Sequence, residues 1–84
     1  MKLTVTEDEQ MAIGLSSEAG RNTNAFPHDV EETADHFTRL FWDQKTVELT
    51  EEECEHLVEI AEWGIENGVG GYVSELEAVV SRVK

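Results

Sequence analysis

The chain has 84 residues, 19 of them Asp or Glu against only 6 Lys or Arg, for a formal net charge of −13. That length makes one domain and is too short to enclose a deep enzyme cavity on all sides. The charge excludes direct nucleic-acid binding, because affinity for phosphates comes mainly from Lys and Arg that release counterions, and it disfavours anionic membrane surfaces for the same reason.

Lys2 to Val5 reads as a short strand, with Leu3 and Val5 on one face. Thr6 follows as a helix N-cap, and Glu9 three positions on completes a capping box. Glu7, Asp8 and Glu9 also place negative charge on the positive end of the helix dipole. In this first helix Met11, Ala12, Leu15 and Ala19 fall on one side, Ile13 points elsewhere and Gly14 weakens the helix. Ser16 to His28 is rich in Ser, Gly, Asn and Thr and holds the single proline, Pro27, which marks a helix end near Gly20 and then a loop.

A second helix is predicted from about Asp29 to Gln44, with Val30, Thr33, Ala34, Phe37, Leu40 and Phe41 on one face at helical spacing. Thr46 to Leu49 reads as a second short strand. Thr50 is again an N-cap with Glu53 three residues on, and the third helix should reach about Asn67, where Gly68 supplies a C′ stop. Val69 to Gly71 forms a tight connection. A last helix then runs from about Tyr72 to Val83, with Val73, Leu76, Val79, Val80 and Val83 on one face and Arg82 and Lys84 at its negative end.

The expected fold is mainly α: one domain of about four helices in two strand–helix–helix halves, 1–45 and 46–84, with a short two-stranded sheet. Leu3 to Glu9 aligns with Val47 to Glu53 at an offset of 44 residues. That match lies mainly in the cap, and capping boxes recur for local physical reasons. Paired strands would draw two helical hairpins into a four-helix core. No apolar run approaches the roughly 20 residues that span a bilayer, and Glu7 to Glu9 interrupt the N-terminus before a signal-peptide core forms. Cys54 stands alone, so no intrachain disulfide is available. A reducing, cytoplasmic compartment fits best.

Four groups of residues invite a chemical reading. His28, Glu32 and His36 stand at i, i+4 and i+8, as metal ligands on a helix often do. They lie opposite the Phe37 and Phe41 stripe, and no second cluster supplies further ligands, so a solvated polar face is the plainer reading. Cys54 and His56 are two apart and do not face each other on a helix. Cys54 instead shares the apolar face with Leu57, Val58, Ala61 and Ile65, where an inert thiol is expected. Gly68 to Gly71 follows a helix and lacks the Lys of a phosphate loop. No enzyme activity and no cofactor are expected.

The third group is the third helix itself. Glu51, Glu55, Glu59, Glu62 and Glu66 form one narrow stripe, and no Lys or Arg lies between positions 46 and 81. Such a row is either a solvated face or an anionic surface that docks a basic partner and imitates the charge of a nucleic-acid backbone. With Ile60 and Trp63, the apolar residues of this helix cover roughly 220° at 100° per residue. Either the helix is central to the fold or one side of it meets a partner. The two tryptophans are the fourth group. Trp63 falls beside Glu59, and Trp42 is displaced from its stripe toward Glu31 and Asp35. Both suit interface anchors, or else cover the core margin or pack together.

In size and charge the chain resembles the small acidic accessory proteins encoded by bacteriophages and other mobile elements. Several of those inhibit host nucleases, polymerases or defence complexes by occupying a basic surface, and the host cytoplasm is then the implied location. Surplus carboxylates also serve solubility in salt-loving organisms, but here Glu outnumbers Asp fifteen to four, where more Asp is expected. The leading expectation is a non-catalytic protein that binds a basic protein surface through Glu51, Glu55, Glu59, Glu62, Glu66, Trp63 and Trp42. The alternative is a self-associating helical module that dimerises through Ile60 and Trp63, with acidity serving solubility only.

Overall fold

Two threonine caps set the frame. In a computed structural model describing residues 1–84, the Thr6 hydroxyl accepts the Glu9 N–H while Glu9 Oε1 accepts the Thr6 N–H, at 3.1 and 2.9 Å. Thr50 and Glu53 repeat this box, at 3.1 Å to the Thr50 hydroxyl and 2.8 Å to Glu53 Oε1. The element order is β1 (Lys2–Thr4), α1 (Glu7–Asn22), α2 (His28–Asp43), β2 (Thr46–Glu48), α3 (Glu51–Asn67), a 3₁₀ turn (Val69–Gly71) and α4 (Val73–Val83). The protein is mainly helical, with four helices and a small antiparallel sheet. No helix is long and apolar enough to cross a membrane.

β1 pairs with β2 antiparallel, setting Lys2 opposite Glu48, Leu3 opposite Val47 and Thr4 opposite Thr46. Leu3 and Val47 turn inward, and Val5 and Leu49 follow them into the core. There they meet Ile13, Phe26, Phe37, Phe41, Leu57, Ile60 and Val79. A smaller cluster of Ala12, Ala61 and Leu76 lies beside this core, with Ile65, Tyr72 and Val80 against it.

The first helix differs from expectation in two ways. It continues past Gly20 to Asn22, and its buried face is Glu9, Ala12, Ile13, Ser16, Ser17 and Gly20 rather than the side carrying Met11 and Leu15. Ile13 is fully buried while Met11 and Leu15 are exposed. The reason is close helix packing. The Ser16 hydroxyl donates to the Ile60 carbonyl of α3 at 2.7 Å. A Cβ at Gly64 would stand 2.4 Å from Ser16 Oγ, and one at Gly20 would stand 2.1 Å from the Phe26 ring. Small side chains occupy this face because the neighbouring groups leave no room for larger ones.

The two halves share a burial plan. Every buried position of α1 from Ala12 onward has a buried counterpart in α3 at the same offset of 44: Ala12 and His56, Ile13 and Leu57, Ser16 and Ile60, Ser17 and Ala61, Gly20 and Gly64. In the second helix of each half the correspondence runs from Ala34 to Leu76 and from Phe37 to Val79, an offset of 42 (76 − 34 and 79 − 37).

The wide apolar arc of α3 follows from its place in the fold, for it packs against α1, α2 and α4. Ile60 is fully buried, so it is not available to a partner, and the dimer reading loses that residue. Gly68, at φ +60°, caps α3 in the left-handed region, where a Cβ is disfavoured.

Candidate protein-binding surface

Burial of Leu57, Ile60, Ala61 and Gly64 fixes the rotation of α3, and the glutamate stripe falls on the opposite side. Glu51, Glu55, Glu59, Glu62 and Glu66 are all exposed. Of the five, only Glu62 meets a cation, Lys84 Nζ at 3.0 Å. Residues four apart on a helix are neighbours, roughly 6 Å along the axis, so the row is a line of uncompensated carboxylates. Glu53 does not belong to it. Its carboxylate caps Thr50 through Oε1 and meets His36 Nε2 at 3.7 Å through Oε2.

The scarcity of free cations extends beyond α3. Arg21 and Arg39 both hold Asp35, at 3.1 and 2.6 Å, joining α1 to α2. The Arg39 hydrogen bond is the main reason the Asp35 carboxyl is held below its usual value, with the charge of Arg21 adding to it. Arg82 pairs with Glu9 and Lys84 with Glu62. Only Lys2 and Lys45 are left without a carboxylate partner, so the surface field is negative almost everywhere.

The two tryptophans are not brought together. Trp63 is half-buried on the core margin, edge-to-face with Phe26 at a centroid distance of 5.6 Å. Phe26 lies just before α2, whereas Trp42 sits near its other end, roughly 20 Å away by the helical rise. Trp42 is 84% exposed. It stands at the mouth of a groove between α1 and α2, beside Met11 and Leu15. The groove was hidden in the sequence because Met11 and Leu15 looked like core residues. The exposure that marks them out follows from Ser16, Ser17 and Gly20 having taken the inner face.

The possible metal ligands do not converge. His28 Nε2 pairs with Glu32 at 3.0 Å, while His36 turns to Glu53 on α3, and no three His, Cys, Asp or Glu side chains are grouped as a metal site. Cys54 Sγ lies 3.6 Å from Met1 Sδ. His56 is buried against α2 instead, sharing a 2.7 Å hydrogen bond with the Thr33 hydroxyl and lying 3.5 Å from Asp29 Oδ2. Sequence spacing carries no signal for that trio, since Thr33 and His56 meet only through tertiary packing. Neither surface cleft includes any of the three.

Comparison with protein-family models, with curated proteins and with solved structures finds no match. The functional reading therefore rests on the surface itself.

Proposed function

We propose that this chain is a small non-catalytic acidic protein that binds a basic protein surface, and that it inhibits a nucleic-acid-binding or host-defence protein by charge mimicry. The observation that carries this reading is the exposed row from Glu51 to Glu66, in which four of the five carboxylates have no cation within ion-pair distance. Like charges at i, i+4 cost a helix roughly 0.2–0.5 kcal/mol per pair. The row is thus a local cost to folding, and a cationic partner offsets it. Fields of this kind steer association and set specificity against other surfaces. The size-and-charge resemblance to phage-encoded accessory proteins points the same way, toward a host protein whose basic groove normally holds nucleic acid.

The test is a pull-down from the native host with the wild-type chain and with Glu55→Lys, Glu59→Lys and Glu62→Lys combined, at low and high salt. The wild type should retain a basic protein that high salt releases, and the triple variant should lose it with its circular dichroism unchanged. Equal capture by both chains would sink the idea.

A further inference from the structure

The two surface clefts of the molecule occupy corresponding places in its two halves and differ in chemistry. The cleft between α1 and α2, about 270 Å³, is walled by Met11, Leu15 and Trp42 over Gly14, with Glu7 and Glu18 toward its ends. Under the offsets that relate the buried residues, Glu7 corresponds to Glu51, Met11 to Glu55, Gly14 to Val58 and Trp42 to Lys84. All four counterparts line the other cleft, between α3 and α4. Glu7 and Glu51 match, but Met11, Gly14 and Trp42 of the first half stand where the second half has Glu55, Val58 and Lys84.

Gly14 sharpens the contrast. Gly20 and Gly64 are required by packing, but a Cβ at Gly14 would meet nothing within 4 Å. A glycine inside a helix costs roughly 0.5–1 kcal/mol relative to Ala, and no contact in the folded chain requires that cost here. Its effect is to keep the floor of the groove open. The exposed apolar surface is concentrated there as well. Trp42, Met11 and Leu15 are 84%, 52% and 36% exposed, and the one other exposed large hydrophobic residue is Met1.

We propose that this groove docks a cationic amphipathic helix of a partner protein, with one large apolar side chain seated between Met11, Leu15 and Trp42. Charge selects the occupant. No Lys or Arg lines the groove, and neither Glu7 nor Glu18 is engaged in an ion pair. The two glutamates stand eleven residues apart on α1, roughly 16 Å by the helical rise, so they bracket the anchor with two sites for Lys or Arg. A second copy of the chain, itself at −13, would bring like charge to the same rim. Anchoring one apolar side chain in a groove with charged flanks is a common mode of helix recognition. The proposal shares the premise of a basic partner with the function proposed above, but its surface is a separate one in the first half of the chain.

The experiment titrates the isotopically labelled full chain with a synthetic amphipathic Leu–Lys peptide of about 15 residues, long enough for helix formation. A control peptide keeps the length and the lysines but carries Ala in place of Leu. Amide shifts centred on Gly14 and Glu18, with the Trp42 indole, are expected for the Leu–Lys peptide, at an affinity at least about tenfold above the control. Trp42→Ala and Gly14→Val should each weaken it at least about tenfold. Neither change touches the core, and Gly14→Val installs the side chain that Val58 carries in the other half. The triple Lys variant of α3 should bind this peptide within about threefold of wild type, as distant sites do, so the groove and the α3 row can fail independently. Shifts centred on the α3 glutamates, equal binding of the control, or unchanged affinity in both groove variants would each overturn the proposal. So would a dimer in sedimentation that Gly14→Val abolishes.

Discussion

Arg82, in the last turn of α4, pairs with Glu9 in the first turn of α1 and donates from Nη1 to the Thr4 carbonyl at 2.7 Å. The same Glu9 Oε1 accepts the Thr6 N–H. One carboxylate therefore joins the β1–α1 junction, the first cap and the end of the chain. In the other half Glu53 keeps the cap but meets only His36, at 3.7 Å. Glu9 is the more buried of the two, and its loss should be felt more.

Glu9→Gln is expected to destabilise the protein by about 1–3 kcal/mol, the range for removing a hydrogen-bonded charge, measured by urea unfolding. Glu53→Gln should cost less. The effect has a pH signature. Burial pushes the Glu9 carboxyl up, but hydrogen bonds from Arg82 and from Thr6 outweigh it and leave the group below its ordinary value. The stabilisation is therefore present above the unfolded value, about 4.3, and is lost as pH falls through the lower folded value. Protonating the many other carboxylates relieves repulsion over the same range, so the difference between wild type and Glu9→Gln is the quantity to follow. That difference should shrink from neutral pH toward acid.

Ser17 and Ala61 hold equivalent buried positions on α1 and α3, but Ser17 Oγ has no hydrogen-bond partner. A buried unsatisfied hydroxyl costs about 1–3 kcal/mol, and Ala is the better helix former. Ser17→Ala should stabilise by about 1 kcal/mol and raise Tm by about 4–8 °C for a domain of this size. Ser16→Ala, one residue away, should do the opposite, because it removes the 2.7 Å bond to the Ile60 carbonyl.

The glycines of α1 divide in the same way. At Gly20 an added Cβ would fall 2.1 Å from Phe26 Cζ, and Gly20→Ala is expected to destabilise by about 1–3 kcal/mol through overpacking. At Gly14 the Cβ meets only open space, so Gly14→Ala should gain about 0.5–1 kcal/mol from helix propensity. Thermal melts of the two variants should move in opposite directions.

Local chemistry explains what was readable in the sequence. The capping boxes at Thr6 and Thr50 and the left-handed Gly68 depend on residues three or four apart, so α3 was placed at its ends, and the dense apolar stripes of α2 and α4 fixed their inner faces. The inner face of α1 departs from its apolar pattern because close approach to α3 favours small side chains, and Ser16, Ser17 and Gly20 look like loop residues in a hydrophobicity pattern. Once Ile13 is placed inward, Met11 and Leu15 must face outward, and the groove with Trp42 follows. The pairings of Arg82 with Glu9 and of His56 with Thr33 join distant segments and leave no trace in spacing. The α3 glutamate row was legible because helical rotation alone sets it, given Leu57, Ile60 and Ala61 inside.

That row also makes a prediction in which stability and function part. Glu59 has Glu55 one turn before it and Glu62 three residues after it, all exposed. Glu59→Lys turns the repulsion with Glu55 into an attraction in the favoured orientation, with Glu on the N-terminal side. The expected gain is about 0.5–1 kcal/mol in chemical unfolding at low salt. It should shrink as salt rises past about 0.15 M, where the Debye length falls to about 8 Å. If the carboxylate row exists to meet a basic surface, the same substitution should weaken partner capture. A variant that is more stable and binds less well separates recognition from folding, whereas one that gains stability and keeps full binding would place the partner surface elsewhere on the molecule.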